Sequence, residues 1–217
     1  EEGLGNPARI PPTLDGVGVK LKPEWLRKVL FDAETVRPYM HTRMPQFGEE
    51  NLQYLPVLLE NADRLQKVEF PKPNRDARRK YREGGHLLVG DKGLNCVACH
   101  NFNGNPSPGL KGLDLLTSFE RLQPSWFARF MRNPQKFRPG IVMPNYWPGG
   151  EAVRKDVLRG NPNKQLLALW HYFSLGRSAR DPSGIRAEGT GLKVTNRTRV
   201  YRGRSRVAGY RGIAVGF

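Results

Sequence analysis

Cys96-Val97-Ala98-Cys99-His100 holds the only two cysteines of the 217-residue chain, three positions apart, with a histidine directly after the second. Positions i and i+3 of one helical turn share a face, so thiols at this spacing can both form thioethers to the vinyl groups of one planar ring. His100, at i+4 from Cys96, projects from the same side and can bring an imidazole nitrogen to an iron in that ring. C-x-x-C-H is the attachment pattern of c-type haem. A zinc site would need four ligands, and no second cysteine pair or histidine cluster exists to complete one. A thioredoxin-like dithiol needs a βαβ setting, which the residues around Cys96 do not supply.

An iron held by one imidazole has a second face to fill. Met143 stands in a Pro-flanked loop after a helix, where it can fold over that face. Its thioether is soft and neutral and favours ferrous iron, so His/Met ligation raises the reduction potential. Met131 lies mid-helix among Trp126, Phe127 and Phe130 and reads as core. His86 and His171 fall on helices expected to cross behind the site, as packing or surface histidines.

The elements that position these residues occur twice. Pro12-Thr-Leu-Asp-Gly16 is echoed by Pro108-Gly-Leu-Lys-Gly112, and Leu21-Lys-Pro-Glu-Trp25-Leu26 by Leu122-Gln-Pro-Ser-Trp126-Phe127. Twelve residues beyond each tryptophan comes Arg-Pro, at Arg37 and Arg138, followed by Met44-Pro45 and Met143-Pro144. Four landmarks in the same order define a duplicated module. The second copy has a basic helix over 76–89, the Cys96–His100 turn, a Gly/Pro-rich loop, a Pro-initiated helix over 124–133 and a closing helix over 162–176. The first copy has a loop, a helix over 23–32, the Met44 loop and a closing helix over 49–65, but no leading helix and no C-x-x-C-H. Residues 1–67 are therefore a partial module, 68–75 a linker and 76–180 the complete module. Residues 187–217 alternate apolar residues with Arg, Thr and Gly and predict a short β-rich basic tail.

On these motifs, residues 76–180 resemble a class I (mono-haem, all-helical) cytochrome c domain, and residues 1–66 the back two-thirds of another. The Leu-x-Pro-x-Trp and Arg-Pro signatures are similar to those of cytochrome c domains embedded in large secreted bacterial proteins, and the likeness covers about three-quarters of the chain. The resemblance implies a mainly α, duplicated cytochrome c fold, with His100 as proximal and Met143 as distal ligand. It also implies that a proline carbonyl, here that of Pro108, orients the proximal imidazole. Trp126 and Arg138 are candidates for the haem propionates, with Trp25 and Arg37 their counterparts in the first copy. Core packing is the competing role for Trp126.

Counting back from Pro12 as His100 precedes Pro108 puts the first copy's missing histidine near Leu4 or just before Glu1. Either this copy is degenerate and haem-free, or its attachment segment lies upstream or on another polypeptide. Met44, Trp25 and Arg37 keep their offsets, which favours the second. Met44 is then the distal ligand of a second haem, with Met40 and His41 as alternatives.

Hydrophobic residues make up 38% of the chain, with 24 Gly and 18 Pro. That is a modest core, to which a buried porphyrin would add apolar surface. No apolar run approaches the roughly 18 residues of a membrane span. Residues 1–15 lack a basic start and an apolar stretch, and Ile213–Phe217 ends without a closing turn, so the expectation is a processed chain or a piece of a longer one. The net charge of +16 points to redox partners with acidic surfaces, or to no more than a solvated basic surface. A polyanion-binding role would need aromatics interleaved with the basic tail; Tyr201 and Tyr210 are thin support, and no nucleic acid partner is expected. Closed six-coordinate iron would suit one-electron transfer rather than catalysis. The expected roles are thus an electron-transfer protein or the electron-accepting segment of a larger dehydrogenase or multihaem complex, matured in the periplasm.

Overall fold

Residues 11–37, 42–63, 69–110, 112–185, 199–201 and 214–216 are described by a computed structural model, and they are mainly α-helical. The first repeat contributes α1 (Val17–Lys20), α2 (Pro23–Phe31), α3 (Glu49–Leu52) and α4 (Leu55–Ala62). The second contributes α5 (Arg75–Val89), α6 (Thr117–Arg121), α7 (Pro124–Arg132), α8 (Pro134–Phe137) and α9 (Pro162–Phe173).

The repeat seen in the sequence is also a repeat of backbone. Helix α1 breaks at Leu21 (φ −96°, ψ 145°) and α6 at Leu122 (φ −91°, ψ 146°), each passing through one more extended residue into a nine-residue helix. Proline opens both of those helices, where its missing N–H has no intrahelical partner to lose. The two corners then pair with each other. Leu21 stands opposite Leu122 in an antiparallel bridge, with Lys22 N–H donating to the Arg121 carbonyl at 2.7 Å and Gln123 N–H to the Lys20 carbonyl at 2.9 Å. Equivalent residues thus face one another, as about a local two-fold axis.

The principal core lies in the second repeat. Asn74 caps α5 by accepting from Ala77 N–H at 2.8 Å, and Asn161 caps α9 by accepting from Lys164 N–H at 2.9 Å. The two helices cross at Gly85, where a Cβ would come within 2.5 Å of both the Ala168 carbonyl and Tyr172 Cβ. Only a residue without a side chain lets the backbones approach so closely. Around this crossing Leu88, Val89, Phe102, Leu166, Leu169 and Tyr172 are fully buried.

Two boundaries differ from the sequence expectation. The closing helix expected over 49–65 is two helices, α3 and α4, parted at Gln53 and Tyr54. Pro56 has no N–H to donate to the Leu52 carbonyl one turn back, and its ring crowds that carbonyl, so one helix cannot run through. Helix α9 stops at Phe173, and a 3-10 turn follows over Gly176–Ser178. The expected linker is part of the packed structure, since Phe70 meets the rings of Phe127 and Trp170 at 6.3 and 5.8 Å. Residues up to Ile185 form one compact unit.

Residues Arg186–Phe217 are a second unit. In it β1 (Arg199–Tyr201) pairs antiparallel with β2 (Ala214–Gly216), Val200 opposite Val215. The rest of the expected basic tail lies outside the described residues.

Candidate haem-attachment site

Asn95, in the left-handed region at φ 56°, turns the chain out of the α5 region into a single 3-10 turn, Cys96–Ala98. Cys99 N–H donates to the Cys96 carbonyl at 3.2 Å and His100 N–H to the same carbonyl at 3.0 Å. In a 3-10 turn side chains at i and i+3 eclipse, so the two sulfurs share one side of the turn. Cys96 is buried and Cys99 exposed. Burial pushes the Cys96 thiol up to about 12, the Cys99 charge adding to the rise. Among the described residues no three His, Cys, Asp or Glu side chains gather as a metal cluster.

His100 is held from behind. Its Nδ1 lies 2.9 Å from the Leu113 carbonyl, which leaves Nε2 as the nitrogen able to ligate a metal. Pro108, which the family resemblance put in this role, is exposed, and the accepting carbonyl lies five residues further on. The strand-like pairing of His100 with Gly112 is the reason: Gly112 N–H donates to the Cys99 carbonyl at 2.7 Å, and Asn101 N–H donates to the Gly112 carbonyl at 3.3 Å. A Cβ at Gly112 would lie 2.6 Å from the Cys99 carbonyl and 3.1 Å from His100 Nδ1. Burial pushes the His100 imidazole below its ordinary value against the effect of the Leu113 bond, and the Arg121 charge adds to the fall.

The Met143 loop is tied down on both sides. Gln135 Nε2 donates to the Met143 carbonyl at 2.9 Å, and Met143 packs against the principal core. Beyond it, Trp147 N–H donates to Asn145 Oδ1 at 2.8 Å, and buried Trp147 Nε1 donates to Gln165 Oε1 at 3.0 Å. Burial, with the charges of Cys96 and Cys99, raises the Tyr146 hydroxyl pKa, so this loop runs beside the attachment turn. Met131 is buried in the core, as expected for a packing residue. His86 Nε2 lies 3.0 Å from the Asp181 carbonyl, and His171 is half-buried on α9.

Trp126 stacks on Phe130 with centroids 4.7 Å apart, and Lys20 Nζ of the first repeat lies 5.1 Å from its ring centroid. Arg138 is exposed and Arg37 half-buried, and both act electrostatically on Lys20. Trp25 is buried, with Lys28 Nζ 5.7 Å from its centroid. Met44 is half-buried, and its carbonyl accepts from Gln46 Nε2 at 3.0 Å. Met40, His41 and the region of the missing first histidine lie outside the described residues.

The residues present fit a covalently attached haem. Two cysteines sit on one side of a turn, an imidazole is oriented through its Nδ1, and a thioether loop is anchored beside them. A buried guanidinium nitrogen, Arg121 Nε, has no hydrogen-bond partner among the described residues, as a site for an anionic group requires. Leu113, Trp147, Gln165, Lys20 and Arg121 escaped sequence reasoning. Only the last two left a signal there, since each directly precedes one of the matched leucines. No family model, curated protein or solved structure matches the chain.

Proposed function

We propose that this chain is an electron-transfer protein built of class I cytochrome c modules in tandem, with one c-type haem carried by Cys96 and Cys99. The observation that carries the reading is the Cys96–His100 turn with its histidine oriented by the Leu113 carbonyl. A haem bound there supplies one-electron exchange with no bond made or broken to a substrate. The chain's own residues do the rest. Cys96 and Cys99 would tether the group, His100 Nε2 and the Met143 thioether would hold its iron, and Gln135 and Trp147 restrain the Met143 loop. Phe102 and Leu94, on either side of the attachment turn in sequence, are buried. Maturation of such a haem places the protein on the periplasmic side. No helix among the described residues is long and apolar enough to cross a membrane. With a net charge of +16, its redox partners are proteins with acidic surfaces.

A second reading is favoured by the exposed apolar face of α4, where Val57 and Leu58 are uncovered. In it the chain is the electron-accepting segment of a larger dehydrogenase or multihaem complex. Met44 is then the distal ligand of a second haem whose attachment segment lies elsewhere.

Intact mass with haem staining tests the primary reading. One haem added per chain and no thiol open to alkylation is the expected result. Two alkylatable cysteines in the mature protein would sink it.

A further inference from the structure

The stripe left bare on α4 has a covered counterpart in the second repeat, and the paired corners fix the match. Gly18 and Phe119 hold equivalent places, each three residues before a paired leucine. A Cβ at Gly18 would collide with the Leu59 carbonyl of α4, while the Phe119 ring lies 5.1 Å from that of Trp170 on α9. Setting Leu59 against Trp170 puts Tyr54, Val57, Leu58 and Asn61 at the places of Gln165, Ala168, Leu169 and Tyr172. The first four are exposed, and the second four have no exposed surface. Helix α5 lies over that second set, where its Gly85 meets the Ala168 carbonyl and Tyr172 Cβ.

Charge around the stripe sets the occupant. Residues 49–63 carry Glu49, Glu50, Glu60 and Asp63 and no Lys or Arg, in a chain that has 36 of them. Glu49 is paired with Arg27, and Asp63 accepts from Gly18 N–H at 2.8 Å. Glu60, three positions beyond Val57, borders the stripe and shares the adjoining cleft with Glu69. A second copy of α4 laid on this face would bring like carboxylates together. We propose that α4 is the docking site for a basic amphipathic helix of another polypeptide, which lies on Val57 and Asn61 as α5 lies on Ala168 and Tyr172. Helix α5 shows the kind of helix required: Gly84, Gly85, Leu88 and Val89 are buried, while Arg75, Arg78, Arg79, Lys80 and Arg82 stay exposed. Val57 is larger than Ala168, so the occupant needs glycine or alanine at the crossing. Covering Asn61 takes its amide from water, so the occupant also offers it a hydrogen-bond partner. The inference stands on the duplicated backbone and holds with or without haem.

The test titrates the full chain into a fluorescent peptide of residues 74–90, the α5 sequence, as a helix of this class. Saturable binding is expected, and Leu58→Asp should weaken it by about tenfold or more. Leu58 is exposed, so this variant keeps the fold, which circular dichroism checks. Gly85→Leu in the peptide should weaken binding too, because a side chain at the crossing holds the helices apart. Glu60→Gln should weaken it at low salt and have less effect at high salt. No saturable binding, or binding unmoved by Leu58→Asp, would overturn the proposal, and indifference to both Glu60→Gln and salt would refute the basic character of the partner. The chain without peptide decides the other occupants. A dimer in sedimentation that Leu58→Asp dissociates would seat a second copy on the face. A large loss of stability in Leu58→Asp would seat the chain's own residues there, and either result overturns the proposal. The haem mass of the chain tests the proposed function alone, and peptide binding tests the docking site alone.

Discussion

Helix α9 packs on α6 and α7 and is crossed by α5, so that Leu166, Ala168 and Leu169 have no exposed surface. Helix α4 packs in the same way on α1 and α2, the counterparts of α6 and α7, but no helix among the described residues crosses it. Tyr54 just before it and its Val57 and Leu58 stand 60%, 62% and 56% exposed and line an open groove with Asn61 and Ala62. Both helices are apolar and both open with proline in the first turn. The difference teaches that an apolar stripe on a helix states a need for cover without supplying it. In the second repeat the residue that lets cover form is Gly85, on the partner helix.

The comparison can be broken most severely at the attachment turn. Cys96→Ser with Cys99→Ser should remove covalent haem entirely, read as loss of the haem mass and stain, because the first repeat has no cysteine to replace them. Retained covalent haem would mean that attachment lies elsewhere. Next in size, Met143→Ala should open the distal position, lower the potential and let carbon monoxide bind the ferrous protein. Met131→Leu, a volume-conserving core change, should leave the spectrum as it was and cost less than about 1.5 kcal/mol. The opposite pattern in the two variants would assign the ligand to the helix rather than the loop.

Stability measurements sharpen the contrast between α9 and α4. Leu169→Ala, at a fully buried position, should cost about 2–5 kcal/mol in urea unfolding of the full chain. Gly85→Ala should cost about 1–3 kcal/mol, since a methyl group there meets backbone at 2.5 Å and the helices must part. Leu58→Ser on the uncovered face of α4 should change stability by no more than about 0.5 kcal/mol. A large loss in Leu58→Ser would show that this face is covered in solution, and the two repeats would then be alike.

Much of this was legible in the amino-acid order, and for local reasons. Two cysteines and a histidine within five residues fall on one turn at short range, and the Pro-initiated helices α2 and α7 start where proline permits. Repetition of Leu, Pro, Trp, Arg-Pro and Met-Pro in fixed order announced the duplicated corners, because the same residues meet the same steric limits twice. The break between α3 and α4 was legible too, in Pro56, once its missing backbone donor is counted. Tertiary structure alone decided which carbonyl holds His100, for Leu113 reaches it only through the pairing of Gly112 with Cys99 and His100. It also decided that Trp147 and Gln165 would clasp one another across 18 positions, and that the corner of the first repeat would pair with that of the second, Leu21 opposite Leu122. Patterns of residue type carry conformational preference and chemistry, which act over a few bonds. Partners distant in sequence are chosen by how whole elements pack, and no spacing within either repeat encodes that choice.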